Sequence, residues 1–94
     1  MKVITILGLE VEDFKVGYRM DILDLDTKMQ SEVCVYLVNN VDGIVYFYYE
    51  EDPEESDYFC IDDLSVSGVF GTWVRKQVLR LYDENKQTIW SCPF

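Results

Sequence analysis

Eight carboxylates fall within fourteen residues, at Glu50, Glu51, Asp52, Glu54, Glu55, Asp57, Asp62 and Asp63, and no lysine or arginine interrupts them. Acids at this density can work as an acid–base pair around a scissile bond, ligate a hard cation, or attract a basic surface. Hydrolysis needs one particular pair in a shaped cleft, and among eighteen acids pairs arise by chance. Histidine is absent, which removes the commonest general base, the usual triad partner and the commonest nitrogen ligand for a metal. Neither a GxxxxGKS/T nor a GxGxxG pattern occurs, so phosphate cradling by a glycine-rich loop has no support. Cys34, Cys60 and Cys92 are widely spaced and fall in no CxxC or Cys/His pattern, which reads as free thiols in a reducing compartment. The expectation is a protein without catalytic residues, cofactor or metal.

Calcium can be tested by spacing. Asp24 and Asp26 make an Asp-x-Asp start, but Lys28 stands where the next ligand belongs, and no glycine or distal glutamate follows as an EF-hand requires. The stretch Glu50 to Asp57 offers only a looser set of oxygens, and a solvated acidic loop is the simpler reading.

The third chemistry, attraction of a basic partner, fits the charge distribution of the whole chain. The formal net charge is −10. Residues 29–74 hold ten acids and no lysine or arginine, while the flanks balance eight acids against all eight bases. Ordinary surfaces mix both signs, and segregation costs self-repulsion, so this acidic middle asks for a partner. Carboxylates two apart on a strand repeat at about 6.6 Å, and duplex DNA carries about one charge per 1.7 Å of axis, so strands and a loop can approximate a row of phosphates. A protein whose own site is lined by Lys and Arg would be drawn in and blocked.

Positioning falls to short strands. Val3 to Leu7 is mostly β-branched and predicts a first buried strand. Val16 to Thr27 alternates with a slip of phase near Ile22 or Leu23 that a β-bulge would absorb; a helix over 10–25 is disfavoured by Gly17 and by the lack of an apolar stripe. Glu32 to Val38 is apolar on both phases, as a strand covered on both faces would be, and Asp42–Gly43 turns it into Ile44 to Tyr49. Within Tyr46-Phe47-Tyr48-Tyr49 alternate residues face opposite sides, so one set is core and the other is covered or forms an exposed aromatic patch. Tyr48 and Tyr49 adjoin the acids and join them as candidate partner-binding residues. Glu50 to Asp57, with Pro53, predicts a loop, followed by a short strand at Tyr58 to Ile61. Thr72 to Tyr82 is ambiguous between helix and strand, residues 83–86 make a turn, and Gln87 to Cys92 resumes a strand. Trp73 and Trp90 read as core anchors.

Ninety-four residues make one domain, 1–94, able to bury about two-thirds of the surface its unfolded chain exposes. The predicted class is mainly β, an antiparallel sheet of about seven short strands curled into a small sandwich or barrel; one helix between residues 65 and 80 would make it α+β instead. No segment has the length of a membrane-spanning helix, and anionic lipid would repel the charge, so a cytoplasmic location without membrane contact is expected. Direct nucleic-acid binding is disfavoured for want of cations beside the aromatics.

In size and composition the chain resembles the DNA-mimic inhibitors, short acidic single-domain proteins many of which bacteriophages make against restriction, CRISPR or repair enzymes. That resemblance implies occlusion of a basic site on a nucleic-acid-binding enzyme, in the host cytoplasm if the chain is phage-encoded; no motif carries over position by position. Two rivals use the same residues differently. A structural subunit of a virion or other assembly would use the acidic edge and aromatic strand as subunit contacts, and homodimerisation would suit the same aromatics. A nucleotide-sequestering protein would need a cleft that concentrates Arg75, Lys76 and Arg80.

Overall fold

The computed structural model describes residues 9–64 and 75–92. Strands β1 (Arg19–Asp24), β2 (Gln30–Asn39), β3 (Ile44–Tyr49), β4 (Asp52–Cys60), β5 (Lys76–Tyr82) and β6 (Thr88–Ser91) form one six-stranded sheet in the order β4-β3-β2-β1-β5-β6. Every neighbouring pair is antiparallel. The fold is therefore mainly β, as the alternation of the sequence predicts. The expected strand at Val3 to Leu7, Trp73, and the first ten residues of the alternative helical segment lie outside the described residues; Lys76–Tyr82 is strand.

Cross-strand register sorts the side chains into two faces. Val78, Ile22 and Ser31 lie side by side, as do Leu81, Met20, Val33 and Tyr49, then Val38, Val45 and Phe59, and all point inward. Met20, Val33, Val45, Phe47, Val78 and Leu81 are completely buried there. The face is concave. β3 and β5 are three strand spacings apart, about 14 Å on a flat sheet, yet Lys76 Nζ on β5 donates to Tyr49 Oη on β3 at 2.6 Å. Leu9 and Phe14, from the segment ahead of β1, join this core, with Phe14 edge-on to Phe59 at 5.5 Å between ring centres.

Turn chemistry fixes where the strands end. Asn39 Oδ1 accepts from the amides of Val41 and Asp42, and Gly43 completes the β2–β3 turn at φ 69°. Positive φ is open to glycine at little cost, and an added Cβ here would also sit 3.2 Å from Ile61 Cγ2. Asp24, half of the Asp-x-Asp pair, spends its carboxylate on the β1–β2 turn, accepting from the amides of Asp26 and Thr27, which holds its pKa below the usual carboxylate range. Asp83 Oδ1 accepts in turn from the amides of Asn85 and Gln87 before β6.

Several expectations need correction. The segment Glu50 to Asp57 is not a loop: from Asp52 it is edge strand β4, continuous with the short strand expected at Tyr58. Charge density misleads there because an edge strand pairs through its backbone on one side and can leave its side chains in water; Pro53 sits in the bulge where the register jumps from Tyr48↔Ser56 to Tyr49↔Asp52. The bulge expected near Ile22 or Leu23 is not in β1, which alternates regularly with Met20 and Ile22 buried; the irregularity beside Ile22 lies in β5, where Leu79 is the extra residue, since Asp21 pairs with Arg80 and Ile22 with Val78. β2 is not covered on both faces along its length. A further bulge, in β2 itself, puts Tyr36 and Leu37 together on the outer side, where both are exposed. The described residues hold six strands, the one expected at Val3 to Leu7 lying outside them, and the only helical turns among the described residues are short 3-10 ones at Val11–Asp13 and Ile61–Asp63.

Candidate interaction surface

The acids of the middle segment divide into a neutralised group and a free group. Glu50, at the β3–β4 turn, and Glu32 on β2 both pair with Arg19, at 3.2 and 3.3 Å, and Asp21 pairs with Arg80 at 3.5 Å. Asp57 points to the inner side with Phe47, where its charge acts on Lys76. Glu51, Asp52, Glu54, Glu55 and Asp62 are exposed and stand in no ion pair among the described residues. Asp63 closes the Ile61–Asp63 turn. The free carboxylates concentrate where β4 begins, on the outermost strand.

Beside them lies an aromatic row. Strand alternation sends Tyr46 and Tyr48 outward, the bulge on β2 adds Tyr36, and β4 adds Tyr58 opposite Tyr46. Ring centres are 6.2 Å apart for Tyr36–Tyr46 and Tyr36–Tyr48 and 5.7 Å for Tyr46–Tyr58. Tyr36 is 42% and Tyr58 61% exposed. Of the two tyrosines the sequence singles out, only Tyr48 belongs to this row; Tyr49 points inward, takes the hydrogen bond from Lys76 and lies edge-on to Phe47 at 5.8 Å. Sequence reasoning misses Tyr36, which the β2 bulge turns outward, and Tyr58, hidden by reading the segment before it as a loop.

The inner mouth of the sheet holds a shallow cleft of about 230 Å³ lined by Ser31, Glu32, Tyr49, Glu51, Asp52, Glu55 and Lys76. Partial burial works against the Lys76 ammonium, but the Tyr49 hydrogen bond and the charges of Asp57 and Asp24 outweigh it and raise its pKa. The three bases of the nucleotide reading diverge: Arg75 is exposed and pairs with Asp26 at 3.8 Å, Lys76 points inward, and Arg80 points outward to Asp21.

A buried hydroxyl organises the charged half of the outer face. Tyr82, 2% exposed, donates to Asp21 Oδ1 at 3.3 Å, next to Glu32. Asp21 and Glu32 are direct cross-strand neighbours, a repulsive pairing that the Tyr82 hydroxyl, Arg19 and Arg80 offset. Tyr82, and then Arg19, hold Glu32 below the usual carboxylate range, while burial and the two carboxylates push Tyr82 far above the ordinary tyrosine range. The folded chain therefore holds the Tyr82 proton more tightly than the unfolded chain. Its contribution is fully present below about pH 10 and lost as pH rises through the raised native value. Spectrophotometric titration should show Tyr82 ionising last of the seven tyrosines. Tyr82→Phe should abolish that last step and cost about 1–2 kcal/mol at neutral pH by chemical denaturation. A last step that survives the substitution would remove Tyr82 from this network.

The sheet and its charged edge thus define a small mainly-β protein with an exposed acidic strand and an aromatic row on its outer face. No family profile, curated protein or solved structure matches the chain. No helix among the described residues is long and apolar enough to cross a membrane.

Proposed function

We propose that the chain is a non-enzymatic interaction protein that docks its acidic edge strand on a basic surface of another protein, and that the surface is the nucleic-acid-binding site of an enzyme. The observation that carries this reading is the cluster of exposed carboxylates Glu51, Asp52, Glu54 and Glu55 at the start of an outermost strand, none of them in an ion pair among the described residues although Lys76 shares a cleft with three of them. An edge strand carries acids for a second reason, to prevent strand-to-strand aggregation, and Pro53 with its bulge already serves that end. The acids go further, because a field of one sign across the edge steers a cationic partner as phosphates would. Inhibition then needs no chemistry, only occupation of the site.

The reading is tested on a panel of purified restriction, CRISPR and repair nucleases, each assayed for DNA binding with and without the protein. At least one is expected to lose DNA binding, and the loss should fade as salt is raised from about 50 to 200 mM, over which phosphate contacts weaken strongly. Inhibition insensitive to salt, or none across the panel, would tell against it.

A further inference from the structure

We infer that the outer tyrosine row, Tyr36, Tyr46, Tyr48 and Tyr58, receives arginine side chains of the basic partner and selects them over lysine. This inference rests on the docking role proposed above and names the partner's chemistry. The occupant is set by charge complementarity. The row ends against β4, where the bulge holding Glu54 and Glu55, both exposed and in no ion pair among the described residues, is inserted beside Tyr48. An apolar partner would leave those carboxylates without counter-charge, and an anionic one would be repelled.

Arginine suits the face better than lysine for a geometric reason. A guanidinium is flat and weakly hydrated, so it can lie on a tyrosine ring and still present N–H groups to a carboxylate at its edge, whereas an ammonium is a compact, strongly hydrated point charge. The chain contains this arrangement on the same face of the sheet. Arg80 lies 4.5 Å from the centre of the Tyr82 ring while its Nε faces Asp21 at 3.5 Å. On the inner face Lys76 also places its ammonium over a ring, 5.2 Å from the centre of Tyr49, but its bond goes to the Tyr49 hydroxyl at 2.6 Å and it stands in no ion pair with a carboxylate among the described residues. Exposure of Tyr36 and Tyr58 leaves ring surface open for the same stacking by a second molecule.

The test is calorimetric titration of the intact protein with an octa-arginine and an octa-lysine peptide, which carry equal charge, at about 150 mM salt. Octa-arginine is expected to bind about tenfold more tightly, the scale of two or three cation–π contacts. Tyr36→Ser combined with Tyr58→Ser alters exposed side chains, which circular dichroism can verify as folded. It should bring octa-arginine down to the octa-lysine affinity and leave octa-lysine binding unchanged. Equal affinity of the two peptides for the unmodified protein would overturn the arginine selection while leaving the acidic docking edge intact. Retained arginine preference in the double variant would take the selection away from these tyrosines and overturn the inference as well. Binding of neither peptide would overturn the acidic docking edge, and this inference with it.

Discussion

Replacing Phe47 by alanine is expected to remove about 3–5 kcal/mol of stability, the cost of emptying a large aromatic site in a packed core. Phe47 is completely buried, and its ring centre lies 5.8 Å from that of Tyr49 and 6.1 Å from that of Phe59. It sits mid-strand on β3, between Val35 on β2 and Asp57 on β4, so the cavity would open beneath the strand that carries the acidic edge. A domain of this size has about 5–15 kcal/mol in total, and the loss would leave a substantial unfolded fraction near physiological temperature. Urea denaturation measures it directly. Tyr58→Ala, on the opposite face of the same strand pair and largely exposed, is the control and should cost well under half as much. Similar losses for the two substitutions would contradict the division of the sheet into an inner core face and a more exposed outer face.

Neutralising the free carboxylates is expected to act on binding and leave the fold alone. The informative combination is Glu51→Gln, Asp52→Asn, Glu54→Gln and Glu55→Gln, since these side chains are exposed and none is in an ion pair among the described residues. Glu50 is left in place because Arg19 lies 3.2 Å from it, and removing it would disturb the charged network around Tyr82. At about 0.5 kcal/mol for each exposed charge pair, the four together amount to about 2 kcal/mol, roughly a 30-fold weaker association with a basic partner. Stability should hold or rise slightly, because like charges on one strand repel in the folded state. The gain should shrink in high salt. Inhibition and denaturation measured on the same preparation separate these effects. Weaker binding accompanied by a large loss of stability would mean that the acids act through the fold.

The sheet was largely legible in the sequence, and the reasons are local. The Val-rich run of β2, the Asn39 to Gly43 turn and the alternation of β3 fix a hairpin without reference to the rest of the chain. The bulges were harder. The sequence of β1 suggests a bulge near Ile22, but the extra residue is the unpaired Leu79 of β5, more than fifty residues away, which the pattern of β1 alone does not place. Edge strand β4 was hidden for a different reason. Its charged, proline-containing composition is that of a loop, and only a free neighbour such as β3 makes it a strand.

The acidic cluster itself was fully visible in the sequence, whereas its division was not. Glu50 and Glu32 converge on Arg19 because the β1–β2 and β2–β3 registers bring those strands' outer faces together, a long-range consequence that spacing alone does not express. The aromatic row depends likewise on four side chains from three strands, of which only Tyr46 and Tyr48 alternate within a single segment.

Competition for a basic site is tested most directly by displacement of a fluorescently labelled duplex from an enzyme that the protein inhibits, followed by anisotropy at several DNA concentrations. Occupation of the nucleic-acid site by the β4 edge predicts that the protein releases the duplex completely and that its apparent inhibition constant rises in proportion to DNA concentration. A ternary complex, with the duplex still bound at saturating protein, would contradict it.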